Sequence, residues 1–153
     1  MTNPAYLVPH AGQAIQDLFL AMRHDMEQGV IAPATLMLAA MRGSQINGGS
    51  ACLYADVAEA RKAGVTDDQL IAVAAWRQSP FFTDAERAVL ALAEAAARMN
   101  DQSADAIPDA IWDELVKHYD ERQRATLILW MASSNFFNTV NNIIKDPAGT
   151  TWE

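Results

Sequence analysis

Helix start and stop signals recur along this whole chain, and no stretch between them alternates apolar and polar residues as a half-buried strand does. That restricts the fold to an all-α architecture. A first helix is expected from about Gly12 to Gln28, with Ile15, Leu18, Phe19 and Met22 at helical spacing and Gly29 as its stop. A second begins at Pro33, a favoured first-turn residue, and runs to Asn47 before Gly48 and Gly49 break it. Ser50 is the expected cap of a third helix ending at Gly64. The pairs Thr66/Gln69 and Thr83/Glu86 have capping-box spacing and open a short fourth helix through Trp76 and a fifth to about Asn100. Between those two, Arg77 to Phe82 reads as a loop because of Pro80. A polar linker spans about 100–106, Pro108 starts a sixth helix, and residues 122–144 form a seventh that stops before Pro147.

At 153 residues the chain is expected to be one domain, 1–153, large enough to bury a core. Composition matters mainly for what it excludes. With 51% hydrophobic and 20% charged residues the chain is not of the disordered class. A net charge of −8, with scattered Lys and Arg, offers nothing to neutralise nucleic-acid phosphates or to hold an anionic membrane surface. No apolar run is long enough to span a bilayer, and the first residues lack the basic-then-apolar order of a signal peptide. Cys52 is the single cysteine, so no internal disulfide can form, which fits a reducing cytoplasm.

The segment Met41-Arg42-Gly43-Ser44-Gln45-Ile46-Asn47-Gly48-Gly49-Ser50-Ala51-Cys52 resembles the signature of the AhpD-like (carboxymuconolactone decarboxylase) family. So do the blocks 59–64, 74–77, 79–83 and Asn135-Phe136-Phe137-Asn138, and the likeness covers roughly residues 15–145. The resemblance implies a helical domain of six or seven helices, a homo-oligomer (trimer or hexamer), and thiol-dependent peroxide reduction served by a Glu and a His. No cofactor is implied. Carried over position by position, the first cysteine falls on Gly49, the second on Cys52, the histidine on Asp56 and the glutamate on Met37. Three of these four functional positions are changed.

A dithiol relay needs a thiolate and a resolving thiol, and Cys52 has no second cysteine to resolve it. Asp56 stands one helical turn away, an anion that disfavours the thiolate. An external thiol could still complete a one-cysteine antioxidant cycle at Cys52; otherwise Cys52 is simply a small buried hydrophobe.

Small or apolar residues at Met37, Ala40, Gly43, Gly49, Ala55, Ser133, Ser134 and Thr139 suggest a pocket emptied of its redox groups and enlarged, by natural divergence or by engineering. Into it the resemblance puts one carboxylate, Asp56, walled by Met37, Met41, Gly49, Trp76, Phe81 or Trp130. Tyr54, Ser134, Ser44 or Ser133 could donate a hydrogen bond to a developing oxyanion. Such a constellation suits proton abstraction from a small flat carbon acid, such as a Kemp-type ring opening. Periodicity alone reads differently: Asp56 and Glu59 lie three apart and would share a solvated edge. A third reading is a non-catalytic apolar-ligand binder or structural oligomer. His10, His24 and His118 are far apart, no metal-ligand spacing occurs, and Asp84, Glu86 and Glu94 read as a charged helix face.

Overall fold

Helix α2, Pro33–Asn47, organises the molecule: its stretch from Leu36 to Met41 is wholly apolar. A helix apolar all round has no solvated face and must sit inside. Residues Thr35 to Met41, with Gly43 and Ser44, are buried, and α2 packs against α3, α5 and α7. Around it lie α1 (Val8–Glu27), α3 (Ser50–Lys62), α4 (Asp67–Ala72), a 3-10 segment (Val73–Gln78), α5 (Asp84–Ala97), α6 (Asp109–His118) and α7 (Glu121–Ile144). This computed structural model describes residues 8–99, 102 and 106–149. Among them there is no strand, and no helix is long and apolar enough to cross a membrane.

The expected capping boxes are both made. Thr66 accepts from the Gln69 N–H and Thr83 from the Glu86 N–H, and each N3 side chain returns the bond. A third box, Asp120 with Gln123, opens α7 at Glu121 rather than Arg122. Other boundaries differ for local reasons. Helix α1 begins earlier, at Val8, because neither Pro9 nor Gly12 interrupts it. Ser50 makes no cap: Gly49 takes the N-cap position, with no side-chain bond to the first turn. The fourth helix does not run evenly to Trp76; it tightens to 3-10 geometry at Val73 and bends at Ala75. Most of the linker at 100–106 lies outside the described residues.

The charged face expected on α5 is only partly a solvated one. Glu94 is buried, held by Arg42 (Nε to Oε1, 2.7 Å), by Arg77 (Nη1 to Oε2, 2.5 Å) and by the indole N–H of Trp76 (3.1 Å). Three blocks of the sequence, 41–52, 74–77 and the middle of α5, meet in this ion cluster. Trp76 is therefore a partner of Glu94 in the core.

Candidate functional site

The turn between α2 and α3 sets the site. Gly48 sits in the left-handed region (φ 66°), where glycine alone carries no Cβ penalty, and its N–H closes α2 on the Ser44 carbonyl. Gly49 follows at once, so α3 starts beside the end of α2 and lays Cys52, Asp56 and Glu59 along one face. That face lines a cavity of about 590 Å³ between α1, α2, α3 and α7. Its walls are mostly hydrocarbon, sulfur and ring: Ile15, Phe19, Met22 and Met26 from α1, Met37 and Ala40 from α2, Trp130 and Phe137 from α7. This size is ordinary for a small-molecule site.

Asp56 is half-buried, neither a solvated edge nor fully enclosed. Burial pushes its carboxyl up from 3.8 to about 7, and the Ser44 hydroxyl, donating to Oδ2 at 3.0 Å, works against that rise. No cation among the described residues lies within ion-pair distance of it. Ser44 in turn accepts from Asn138 Nδ2 at 3.2 Å, and Asn138 also donates to the Ser134 carbonyl at 3.0 Å. Asn138 is buried and its Oδ1 has no hydrogen-bond partner. A Cβ built on Gly49 would stand 1.7 Å from that oxygen, so Asn138 fills the space a side chain at position 49 would need.

Cys52 lines the same cavity, one turn from Asp56. Its thiol is pushed up to about 11, first by burial and then by the charges of Asp56 and Asp146, against a hydrogen bond from Asn141 Nδ2 at 3.2 Å. At neutral pH it is a thiol, not a thiolate.

The residues proposed for the site from sequence divide into two groups. Asp56, Cys52, Tyr54, Ser134, Met37 and Trp130 all line the cavity. Tyr54 is well exposed and stands at the rim, two residues from Asp56 and so off its face. The Trp130 indole N–H is committed to the Leu36 carbonyl at 2.7 Å, leaving its ring to pack. Met41, Gly49, Trp76 and Phe81 are not among the walls: Met41 and Trp76 are buried elsewhere in the core, and Phe81 is exposed beyond the 3-10 segment. Ser133 is buried but not a wall, and Ser44, one of the candidate oxyanion donors, spends its proton on Asp56. Sequence reading missed Asn138 and Asn141 as polar wall residues. The only signal was the block Asn135–Asn138, whose spacing says nothing about which asparagine faces inward. The three histidines are exposed and far apart, and no group of three metal-ligating side chains occurs among the described residues.

Residues 9–95 match the carboxymuconolactone decarboxylase family. The chain belongs to that family. The uncharacterised protein YdfG of Bacillus subtilis is 28% identical over 133 residues, covering 87% of this chain and 88% of YdfG. YnjA of Escherichia coli, also uncharacterised, is 35% identical over 83 residues, 54% of this chain and 43% of YnjA. Among solved structures, an Agrobacterium tumefaciens protein of unknown function, provisionally assigned to antioxidant defence as AhpD, superposes with a TM-score of 0.83 over 97% of each chain at 23% identity. The debrominase Bmp8, solved as a cysteine-to-alanine variant with 2,3,4-tribromopyrrole, gives a TM-score of 0.76 at 22% identity, over 93% of this chain and 72% of Bmp8. At these identities the structural likeness shows a shared helical fold. With one cysteine, this family member has no dithiol motif.

Proposed function

We propose that the protein is a small-molecule enzyme in which Asp56 acts as general base on a flat, largely apolar carbon acid, in a lyase-type elimination. The observation that carries this reading is a carboxylate with no ion-pair partner among the described residues, lining a largely apolar cavity and raised toward neutrality by burial. A base is most useful when its pKa lies near the working pH, because it is then both available and strong enough. The bound tribromopyrrole of Bmp8, a small flat ring on the same fold, agrees with the size and shape of substrate proposed.

For a benzisoxazole the step is closed in atoms and electrons. Asp56 takes the proton from C3, the C–H electrons form the third bond of a nitrile, the N–O bond breaks, and the electron pair leaves on oxygen as a 2-cyanophenolate. No cofactor, oxidant or reductant is required. In this reading Ser134, on a half-buried wall, or Tyr54, at the rim, donates to the departing oxygen; both line the cavity.

The test is the release of cyanophenolate from 5-nitrobenzisoxazole by the parent and by Asp56→Asn. General-base catalysis contributes on the order of 100- to 10,000-fold, so the variant should lose at least the lower figure in kcat/KM. Parent kcat/KM should rise with pH through a single step near 7 and then level off, because only the ionised carboxyl is active. Equal rates for parent and variant end the reading.

A thiol-dependent antioxidant activity through Cys52 is the competing chemistry; Cys52→Ala, which removes the thiol without filling the cavity, should abolish it and retain the elimination. A homo-oligomer belongs to the same proposal. It is supported by the exposed apolar residues Ile128, Phe136 and Ile143 along one face of α7, and light scattering on the purified protein decides it.

A further inference from the structure

We propose that Asn138, seated in the volume a side chain at position 49 would occupy, locks the Ser44 hydroxyl as a donor to Asp56 and so positions the carboxylate in the cavity. Asn138 is a positioning residue: it acts through Ser44, whose Oγ it reaches at 3.2 Å, and Ser44 reaches Asp56 Oδ2 at 3.0 Å. A serine hydroxyl has one proton and can swing it to any acceptor nearby. With the Asn138 amide filling its acceptor side, that proton is left to Asp56. Helices α2, α3 and α7 thus converge on one chain of hydrogen bonds, Asn138 to Ser44 to Asp56.

Two observations show that the amide's seat is held for more than local comfort. Asn138 leaves a buried Oδ1 without a partner, a desolvation cost that an apolar residue of equal size would avoid. The same oxygen stands where only a glycine at position 49 leaves room. The amide cannot be turned round to relieve this, because Nδ2 is bonded to the Ser134 carbonyl, which only a donor can meet.

The consequence is readable as the titration of Asp56. The other titratable groups that line the cavity are Arg23 from α1, Cys52, Tyr54 and Glu59 on α3 itself, and Asp146 after α7; α2 and α7 contribute only uncharged walls. None of these is an ion partner of Asp56. Burial raises its carboxyl and the Ser44 bond lowers it. Loosening the bond should therefore raise the midpoint further.

The experiment is a carbon-13 NMR titration of the Asp56 carboxyl in four proteins: parent, Asn138→Leu, Ser44→Ala and the double variant. Leucine keeps the volume and removes both the donor and the orphan acceptor, so the fold should hold; circular dichroism checks it. Ser44→Ala should raise the midpoint by about 1 pH unit, the scale of a hydrogen bond to a charged group. Asn138→Leu should raise it in the same direction by a smaller amount and add nothing in the Ser44→Ala background. An unchanged midpoint in Asn138→Leu, or an equal shift with and without Ser44, overturns the relay. Gly49→Ala, which must displace the Asn138 side chain, provides a second route to the same upward shift. The inference about orientation for catalysis rests on the general-base reading. The NMR midpoint does not, so an inactive protein with an intact relay and an active protein without one are told apart.

Discussion

The sharpest consequence of an Asp56 that titrates near 7 is a pH-dependent loss of stability that its amide variant should lack. The sign follows from proton binding. In the unfolded chain the carboxyl ionises around 3.8, and in the folded protein around 7, so between those values the folded state holds the proton and the unfolded state does not. Stability contributed by the neutral acid is whole below 3.8 and is lost as pH rises through about 7. The full lift corresponds to roughly 4 kcal/mol, an upper figure because water entry and local relaxation ease the ionised state. Between about pH 5 and about pH 8 the Asp56 share of this fall is about 2–3 kcal/mol. Urea unfolding of parent and Asp56→Asn at both values isolates it, since every other titrating group is common to the two proteins. The expected result is a variant near the parent at the lower pH and more stable than it at the higher pH. If the difference between the two proteins is the same at both, the carboxyl is not desolvated and the reasoning about the base fails with it.

Three further outcomes are expected. Cys52, pushed up to about 11, should react with iodoacetamide at neutral pH more than tenfold slower than free cysteine, with the rate still climbing above pH 9; a mass-spectrometric time course decides, and prompt reaction at pH 7 contradicts the burial. Glu94→Ala should cost about 3–5 kcal/mol in urea unfolding, because it leaves the Arg42 side chain, only 13% exposed, and the buried Trp76 indole N–H without their carboxylate; a loss below about 1 kcal/mol would show that water already neutralises the cluster. Gly43→Ala should be tolerated and stabilise by up to about 1 kcal/mol in a thermal melt, since the added Cβ would meet its nearest neighbour, Asn135 Oδ1, at an ordinary 3.8 Å; destabilisation would mean the helix cannot accept it.

That last expectation corrects one step of the sequence reasoning. Gly43 looked like a residue kept for room, but the close approach belongs to Gly49, against Asn138. From sequence the two glycines are indistinguishable, because the neighbour that decides between them lies ninety residues away on α7. Helix positions were legible because caps and stops are local: Thr66, Thr83 and Pro33 act on their own first turns. The ends that shifted depended on geometry outside the motif, as at Ser50, where Gly49 had already taken the cap position. The cavity was half legible. Met37, Cys52 and Asp56 follow from the motif, whereas Trp76 and Phe81, expected among the walls, lie elsewhere. Aromatic residues bury surface in any core, so their type carries no address.

Among the described residues Asp56, Glu94 and Asp146 carry carboxylates withdrawn from bulk water, and the difference between the first two is the strongest physical argument for where chemistry can occur. Glu94 is more thoroughly buried by surface area, yet hydrogen bonds from Arg77, Arg42 and the Trp76 indole N–H hold its carboxyl below the usual range in spite of that burial. Its ion pairs favour the anion, so it is ionised at neutral pH with its charge matched by guanidinium groups. Asp56 has the Ser44 hydroxyl and, among the described residues, no ion-pair partner, and burial wins. The same cavity that raises it also raises Cys52, and each negative charge there disfavours the next. Dithiol chemistry needs an anion on sulfur, so an uncompensated apolar cavity with a carboxylate in it works against that chemistry even if a second cysteine were restored at position 49. General-base chemistry needs the reverse, a proton acceptor kept reluctant to ionise until near neutral pH. The environment around Asp56 meets that requirement, whereas Glu94, bonded to Arg42, Arg77 and Trp76, is held as an ion-paired anion.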